Sequence, residues 1–255
     1  FRLPLIAASN INATVNWGDG ESDNITSYDQ SEITHTYSSQ GTYDITMDGV
    51  IDGWQFSDGT VGGDKAKIQL IEQYGTFDIS TNGTFSYCTN LNTTTTDAPT
   101  ISSTDLLDTF IGCTSLRSPD FSGWDVSNVT SFDQMFRSCV NLTETGVNSI
   151  IGWDVGSGQN FQAMLRGVTA VGSLNLTSWD ITSATTFNGF IDAGTIATNR
   201  YDALLISWAA QSFIQNGQTA TFGASTYTGG GAAAAARATL EAGKGGWNIS
   251  DGGVA

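Results

Sequence analysis

The sequence has few basic residues, and this scarcity limits the partners that the protein can bind. Nine Lys and Arg stand against 25 Asp and Glu among 255 residues, which gives a net charge of −16. Nucleic acid binding needs clustered Lys and Arg, so neither nucleic acid nor an anionic membrane surface is predicted as a partner. The sequence also has no apolar run as long as a membrane span, so no membrane insertion is predicted.

Histidine and cysteine are equally scarce, which restricts the chemistry. His35 is the only histidine, so a Ser-His-Asp triad has no base elsewhere in the chain. The three cysteines include no close pair of the kind that binds zinc. The sequence therefore predicts no metal, no cofactor and no enzymatic activity, although abundant Asp leaves a carboxylate pair for glycoside hydrolysis open.

The N-terminal part contains three motifs in strand-like surroundings. They are "VNWGDG" at 15–20, "THTY" at 34–37 and "GTYDIT" at 41–46. In this order they resemble the polycystic-kidney-disease (PKD) type of immunoglobulin-like domain. The resemblance implies a small β-sandwich that serves as a spacer or binding module. It further implies that Trp17 lies in the core, that Asp19 holds the turn, and that His35 and Tyr37 lie on a late strand.

The middle of the chain repeats a pattern of about 25 residues. The clearest copies are Phe85-Cys88-Leu91, Phe110-Cys113-Leu116 and Phe136-Cys139-Leu142, and weaker copies follow at Leu165-Val168-Val171 and Phe190-Ala193-Ile196. Spacing of three places the side chains of each triplet on one face of a helical turn, and the flanking residues alternate as in a strand. A period of this length is typical of leucine-rich repeats, whose units bury their apolar faces against each other.

The repeat predicts a structural role for the cysteines. The position of Cys88, Cys113 and Cys139 holds Val168 and Ala193 in the weaker copies, so it suits a small buried apolar side chain. Phe85, Phe110 and Phe136 are predicted to form a ladder beside them. A disulfide between two of the cysteines stays open at this point, but three equivalent thiols cannot all pair.

The stretch "WDVSNVTSFDQMFRSCVNLT" at 124–143 resembles the BspA-like leucine-rich repeats of bacterial surface proteins. The likeness extends over roughly residues 80–197, and the closing segment is also similar to that of such proteins. The combined prediction is a mainly β chain with short helices. It comprises a PKD-like sandwich and junction at 1–78, a leucine-rich-repeat solenoid at 79–197, and an α/β capping segment at 198–255.

The resemblance also implies a function. Proteins of this kind look like bacterial adhesins or virion proteins of tailed phages, so we expect a non-catalytic extracellular protein on a virion or bacterial surface. Its expected partners are a host surface glycan or protein and other subunits of the virion or surface structure. The alternative is a secreted carbohydrate-active enzyme on the same scaffold. The chain begins at Phe rather than Met, which indicates a processed product or a piece of a longer protein.

Two rows of recurring residues are candidates for binding. Trp124, Trp153 and Trp179 recur once per repeat, and they form either a stacked ladder or an exposed aromatic strip for a ligand. The Asp that follows each Trp is expected to hold a turn. The polar residues after it provide the second row and are either binding residues or turn formers: Ser127, Asn128, Ser157 and Thr182.

Overall fold

In the computed structural model, residues 1–8, 10–56, 64–212, 217–243 and 246–255 are described. The N-terminal part contains one antiparallel sheet in the order β2-β1-β3, with β1 at Ile11–Asn16, β2 at Ser22–Ile25 and β3 at Thr46–Ile51. Strand β1 alternates buried and exposed side chains, as expected for a strand with one face on a core. Its buried residues pack with Trp17 at the end of the strand, and Trp17 has no exposed surface.

His35 packs against this core, and it lies in a segment that is not a strand. A short 3-10 turn at Ser31–Ile33 precedes it, and irregular backbone follows. The His35 ring stacks on Trp17 with 4.9 Å between ring centroids, and its Nε2 lies 2.8 Å from Asp19 Oδ2. Asp19 Oδ1 accepts a hydrogen bond from the backbone N–H of Glu21 at 3.1 Å, so this residue does hold the turn. The expectation that His35 and Tyr37 lie on a strand is wrong.

The repeats begin after a 3-10 turn at Lys65–Lys67 and consist mainly of consecutive turns. A two-residue parallel pair joins β4 at Leu70–Ile71 to β5 at Asn92–Thr93. Beyond it, adjacent repeats meet in isolated parallel bridges, which join Asp105 to Ser131, Ser131 to Asn160, and Asn160 to Thr186. A single helical turn, α1 at Glu144–Asn148, interrupts the series.

The backbone between these bridges uses its N–H groups in two alternating ways. Phe132, Gln134, Phe136 and Ser138 donate to carbonyls of the next repeat, at distances of 2.7 to 2.9 Å. Met135, Arg137 and Cys139 donate to the carbonyl three positions back, so the segment folds into tight turns. Left-handed φ angles at Gln134 (55°) and Ser138 (63°) allow this arrangement. The same four-residue spacing recurs at Asp108 and Gly112, and at Ala163 and Gly167.

The predicted fold class is therefore wrong. In the described part of the chain the sheets have only two or three strands, and no sheet continues through residues 79–197 as a solenoid sheet. The N-terminal part likewise has one three-stranded sheet where a sandwich was expected. Within the repeats, the physical reason is the left-handed residues that recur at four-residue spacing, because extended strands need negative φ at every position.

The C-terminal segment pairs directly with the last repeat. Strand β6 at Phe187–Ile191 is parallel to β7 at Thr219–Phe222, which is parallel to β9 at Asn248–Ser250. Helix α2 at Thr198–Ala210 packs against α3 at Ala232–Ala238, which continues into a π-helical turn at Thr239–Gly243. A short parallel pair joins β8 at Thr226–Tyr227 to β10 at Gly253–Val254.

Among the described residues, no helix is both long enough and apolar enough to cross a membrane.

Candidate functional site

The predicted Phe and Cys ladder lies in the core. The Phe85, Phe110 and Phe136 rings stack in sequence, with centroids 5.4 and 5.8 Å apart. The Cys113 thiol donates to the Phe85 carbonyl and the Cys139 thiol to the Phe110 carbonyl, each at 3.1 Å. Each thiol therefore binds the backbone of the preceding repeat, and this is a structural role.

Burial keeps the thiols protonated. Cys88, Cys113 and Cys139 have no exposed surface, and all three are free thiols. Burial raises the pKa of Cys88 and of Cys139 to about 12, and it raises the pKa of Cys113 as well. Because the thiolate is the reactive form, these side chains are poor nucleophiles, and each keeps the hydrogen that a thiol donates.

The last copy of the repeat is shifted by one residue from the sequence alignment. Val168 is buried as expected, but Ala193 is exposed and Gly194 is buried beside it. The bridge from Asn160 to Thr186 sets this register. The expectation that Ala193 occupies the cysteine position is therefore wrong.

The three recurring tryptophans are core residues. Trp124 and Trp153 are 4% exposed and Trp179 is fully buried. Trp153 Nε1 donates to the Phe121 carbonyl at 2.8 Å and Trp179 Nε1 to the Ile150 carbonyl at 3.3 Å, so these two indoles also bond the preceding repeat. The exposed aromatic strip is thus corrected to a buried ladder.

The polar row after each Trp-Asp pair divides into two kinds of residue. The hydroxyls of Ser127 and Thr182 donate to Asp125 and Asp180 within their own turns, at 2.6 and 2.7 Å. The bond from the Ser127 hydroxyl lowers the pKa of Asp125. Asn128 and Ser157, in contrast, are exposed. Ser127 and Thr182 are therefore placed as turn formers, and only Asn128 and Ser157 are free to meet a partner.

The structure reveals a groove that the sequence reasoning missed. It is a shallow surface cavity of about 320 Å³ that spans three consecutive repeats and reaches β7. We call it the arginine groove and define it by its polar lining residues: Gln134, Arg137, Gln162, Arg166, Asn188 and Asp192. Ala163, Gly189 and Thr221 complete the lining.

The two arginines hold the same position in adjacent repeats. The Arg137 carbonyl accepts from Gly112 N and the Arg166 carbonyl accepts from Ser138 N, which are matching bonds one repeat apart. The sequence signal was the pair "FRSC" and "LRGV", in which Arg follows the first residue of the triplet. Because basic residues are scarce in this chain, two of them in one groove are a distinctive feature.

The groove has internal order before any ligand arrives. Asp192 Oδ2 lies 2.9 Å from Arg166 Nε, and Asp192 Oδ1 accepts from Gly167 N at 2.7 Å. Arg137 Nη1 donates to Gln134 Oε1. Gly189 N donates to Thr221 Oγ1 at 3.0 Å. These bonds fix several side chains on a stacked core, which is the condition for a preorganised binding site.

No metal site accompanies the groove within the described ranges, since no three His, Cys, Asp or Glu side chains there are placed to hold an ion.

A comparison with protein families identifies the repeats. Residues 79–208 match the family described as "Mycoplasma protein of unknown function, DUF285". No curated protein and no solved structure matches the chain significantly. The resemblances to BspA-like repeats and to a PKD-like domain stay predictions. Because the match covers half of the chain, the protein belongs to the DUF285 family.

Proposed function

We propose that this chain is a non-catalytic attachment protein of a virion or bacterial surface, and that the arginine groove binds a surface glycan. The observation that carries the proposal is the groove itself. It gathers amide, guanidinium, carboxylate and hydroxyl groups from several repeats on one exposed surface. A row of side chains across stacked repeats is the form of binding surface that repeat proteins use.

The lining favours a glycan over an apolar protein patch. Gln162, Asn188 and Thr221 offer donors and acceptors that suit sugar hydroxyls. The large aromatic side chains of the neighbouring repeats are turned into the core, as the burial of Phe161 and Trp179 shows. The second candidate ligand is a host surface protein that offers similar polar groups.

The extracellular location and the assembly with other virion or surface subunits belong to the same proposal. They are supported by the resemblance of the 124–143 stretch to surface-protein repeats. The negative net charge agrees with a role that involves neither nucleic acid nor an anionic membrane surface.

Two matched substitutions test the groove. Asn188 is exposed within it, whereas Asn128 is exposed on the turn after Trp124. Asn188→Trp is expected to abolish binding of the labelled protein to host cells or to their purified surface polysaccharide, because the indole fills the groove. Asn128→Trp is expected to bind like the parent, and both variants should keep the melting temperature of the parent.

Loss of binding with Asn128→Trp alone would indicate that the binding site is the row of polar residues after each Trp-Asp pair. Binding that survives both substitutions would overturn the assignment of the groove. The same incubations measure new reducing ends, which the alternative of a carbohydrate-active enzyme requires. Release of such ends by the parent would overturn the non-catalytic function.

A further inference from the structure

We propose that the arginine groove selects an acidic glycan, with the Arg137 guanidinium pairing the carboxylate of a sugar acid. This inference rests on the proposed function and names the class of ligand. It depends on a contrast between the two arginines of the groove, which hold equivalent positions in adjacent repeats but have different partners.

Arg166 shows how an arginine at this position binds a carboxylate. Its Nε lies 2.9 Å from Asp192 Oδ2, and the other oxygen of Asp192 accepts from the backbone N–H of Gly167 at 2.7 Å. One guanidinium and one N–H thus hold both oxygens of a carboxylate that the chain itself supplies. Charge-assisted hydrogen bonds of this kind are stronger than neutral ones.

Arg137 lacks such a carboxylate partner in the described part of the chain. Its side-chain hydrogen-bond partner is the neutral carbonyl oxygen Gln134 Oε1, and no carboxylate oxygen of the described residues lies within ion-pair distance of the guanidinium. The neighbouring carboxylate of Asp133 accepts from Asn160 Nδ2 at 3.5 Å, and it attracts Arg137 only from beyond ion-pair distance. Arg137 is half-buried and lines the groove, where a ligand can reach it.

The surrounding groups restrict the ligand to one acidic group among hydroxyls. The amides of Gln162 and Asn188 suit neutral hydroxyls, and Thr221 Oγ1, which accepts from Gly189 N, keeps its own hydrogen to donate. An extended polyanion would meet the net charge of −16 outside the groove. A sugar acid places a single carboxylate at Arg137 and its hydroxyls on the amides.

The test is a panel of oligosaccharides that each carry one uronic-acid or one sialic-acid residue, each printed beside its carboxyl-reduced form. The parent is expected to bind at least one acidic member roughly tenfold or more tightly than its reduced form, since hydrogen bonds to charged groups are the strong ones. The preference should shrink as salt is raised, because the groove is open to solvent. Calorimetry on the best member then gives dissociation constants for the variants.

Arg137→Gln is expected to remove the preference for the acid while keeping binding of the reduced form. Arg137→Lys should retain part of the preference, because the charge stays while the planar guanidinium with its several N–H donors is lost. Arg200→Gln is the matched control. Arg200 is exposed at the start of α2, so this substitution removes the same charge outside the groove.

Equal binding of acidic and reduced forms by the parent overturns the inference but leaves the proposed function standing. An equal loss in Arg137→Gln and Arg200→Gln also overturns it, because the effect would then come from total charge. A parent that attaches to host polysaccharide but binds no acidic member of the panel overturns it as well. Failure of attachment altogether is a separate result, which the Asn188→Trp experiment detects.

Discussion

Raising the pH from 7.5 to 9.5 is predicted to destabilise the protein through its buried thiols. The pKa of Cys88 and of Cys139 lies at about 12 in the folded chain, because burial penalises the charged form. An unfolded cysteine ionises near pH 8.5. The stability that these thiols contribute is therefore complete below about pH 8.5, and it is lost as the pH rises toward 12.

The magnitude follows from this difference. Over these two pH units, an unfolded thiol gains about 1.4 kcal/mol from ionisation that the folded thiol does not gain. Cys88 and Cys139 together give about 2.8 kcal/mol by the same relation. Cys113 acts in the same direction, because burial raises its pKa too. Most unfolded tyrosines are still neutral at pH 9.5, so this window reports mainly on the thiols.

The assay is urea unfolding at several pH values in a reducing buffer, with a variant in which all three cysteines are Ala. The variant is expected to be less stable than the parent at pH 7.5, because it leaves small cavities. Its stability should, however, fall much less with pH. An equal fall in parent and variant would refute the reasoning, and so would rapid labelling of the folded parent by a thiol reagent at pH 8.

Three further comparisons follow from individual contacts. Trp153→Phe should cost about 1 kcal/mol more than Trp124→Phe in urea unfolding, because Trp153 Nε1 bonds the Phe121 carbonyl whereas Trp124 Nε1 has no partner among the described residues. An equal loss of unfolding free energy in the two variants would contradict a stabilising role for the Trp153 Nε1 hydrogen bond. Gly112→Ala should lower the melting temperature and Gly152→Ala should not, since a Cβ at Gly112 meets Tyr87 at 2.6 Å with φ at +69°, and Gly152 faces open space. A neutral Gly112→Ala would argue against the left-handed turn. Asp125→Ala should lower the melting temperature at pH 7, and the difference from the parent should shrink at acidic pH below the usual carboxyl pKa, where the lowered pKa of Asp125 is reached. A difference that persists at low pH would mean that the turn does not depend on the charged carboxylate.

The sequence predicted the core of the repeats better than their backbone. Apolar spacing identifies Cys88, Cys113 and Cys139 as buried because the same position accepts Val in another copy. Recurrence of Asp after each Trp likewise indicates a turn, and the Asp125 and Asp180 carboxylates do hold those turns. Both inferences concern side chains whose environment repeats with the sequence.

The fold class could not be read in the same way. Left-handed φ at Tyr87, Gln134 and Ser138 is carried by residues that have no strong preference for it, so stacking with neighbouring repeats decides the conformation. Apolar alternation then suggests strands where the chain makes turns. The one-residue shift that exposes Ala193 follows from the Asn160–Thr186 bridge, whose register the spacing of the apolar triplets does not reveal.

The candidate site was only partly predictable. Recurrence highlighted Trp124, Trp153 and Trp179, but recurrence marks core positions as strongly as functional ones. The groove depends on Arg137 and Arg166, which recur only twice, and on Asp192 and Thr221, which do not follow the repeat. Positions that recur twice or not at all give little signal when a sequence is read for its repeats.

The most direct measurement of the central claim is a titration of the 15N-labelled protein with purified host surface polysaccharide, followed through the side-chain amide signals of Asn and Gln. The account predicts that the NH₂ signals of Gln134, Gln162 and Asn188 shift with one common affinity while those of Asn128 stay in place. Shifts at Asn128 with the three groove amides unmoved, or no shift at any of the four at saturating polysaccharide, would contradict it.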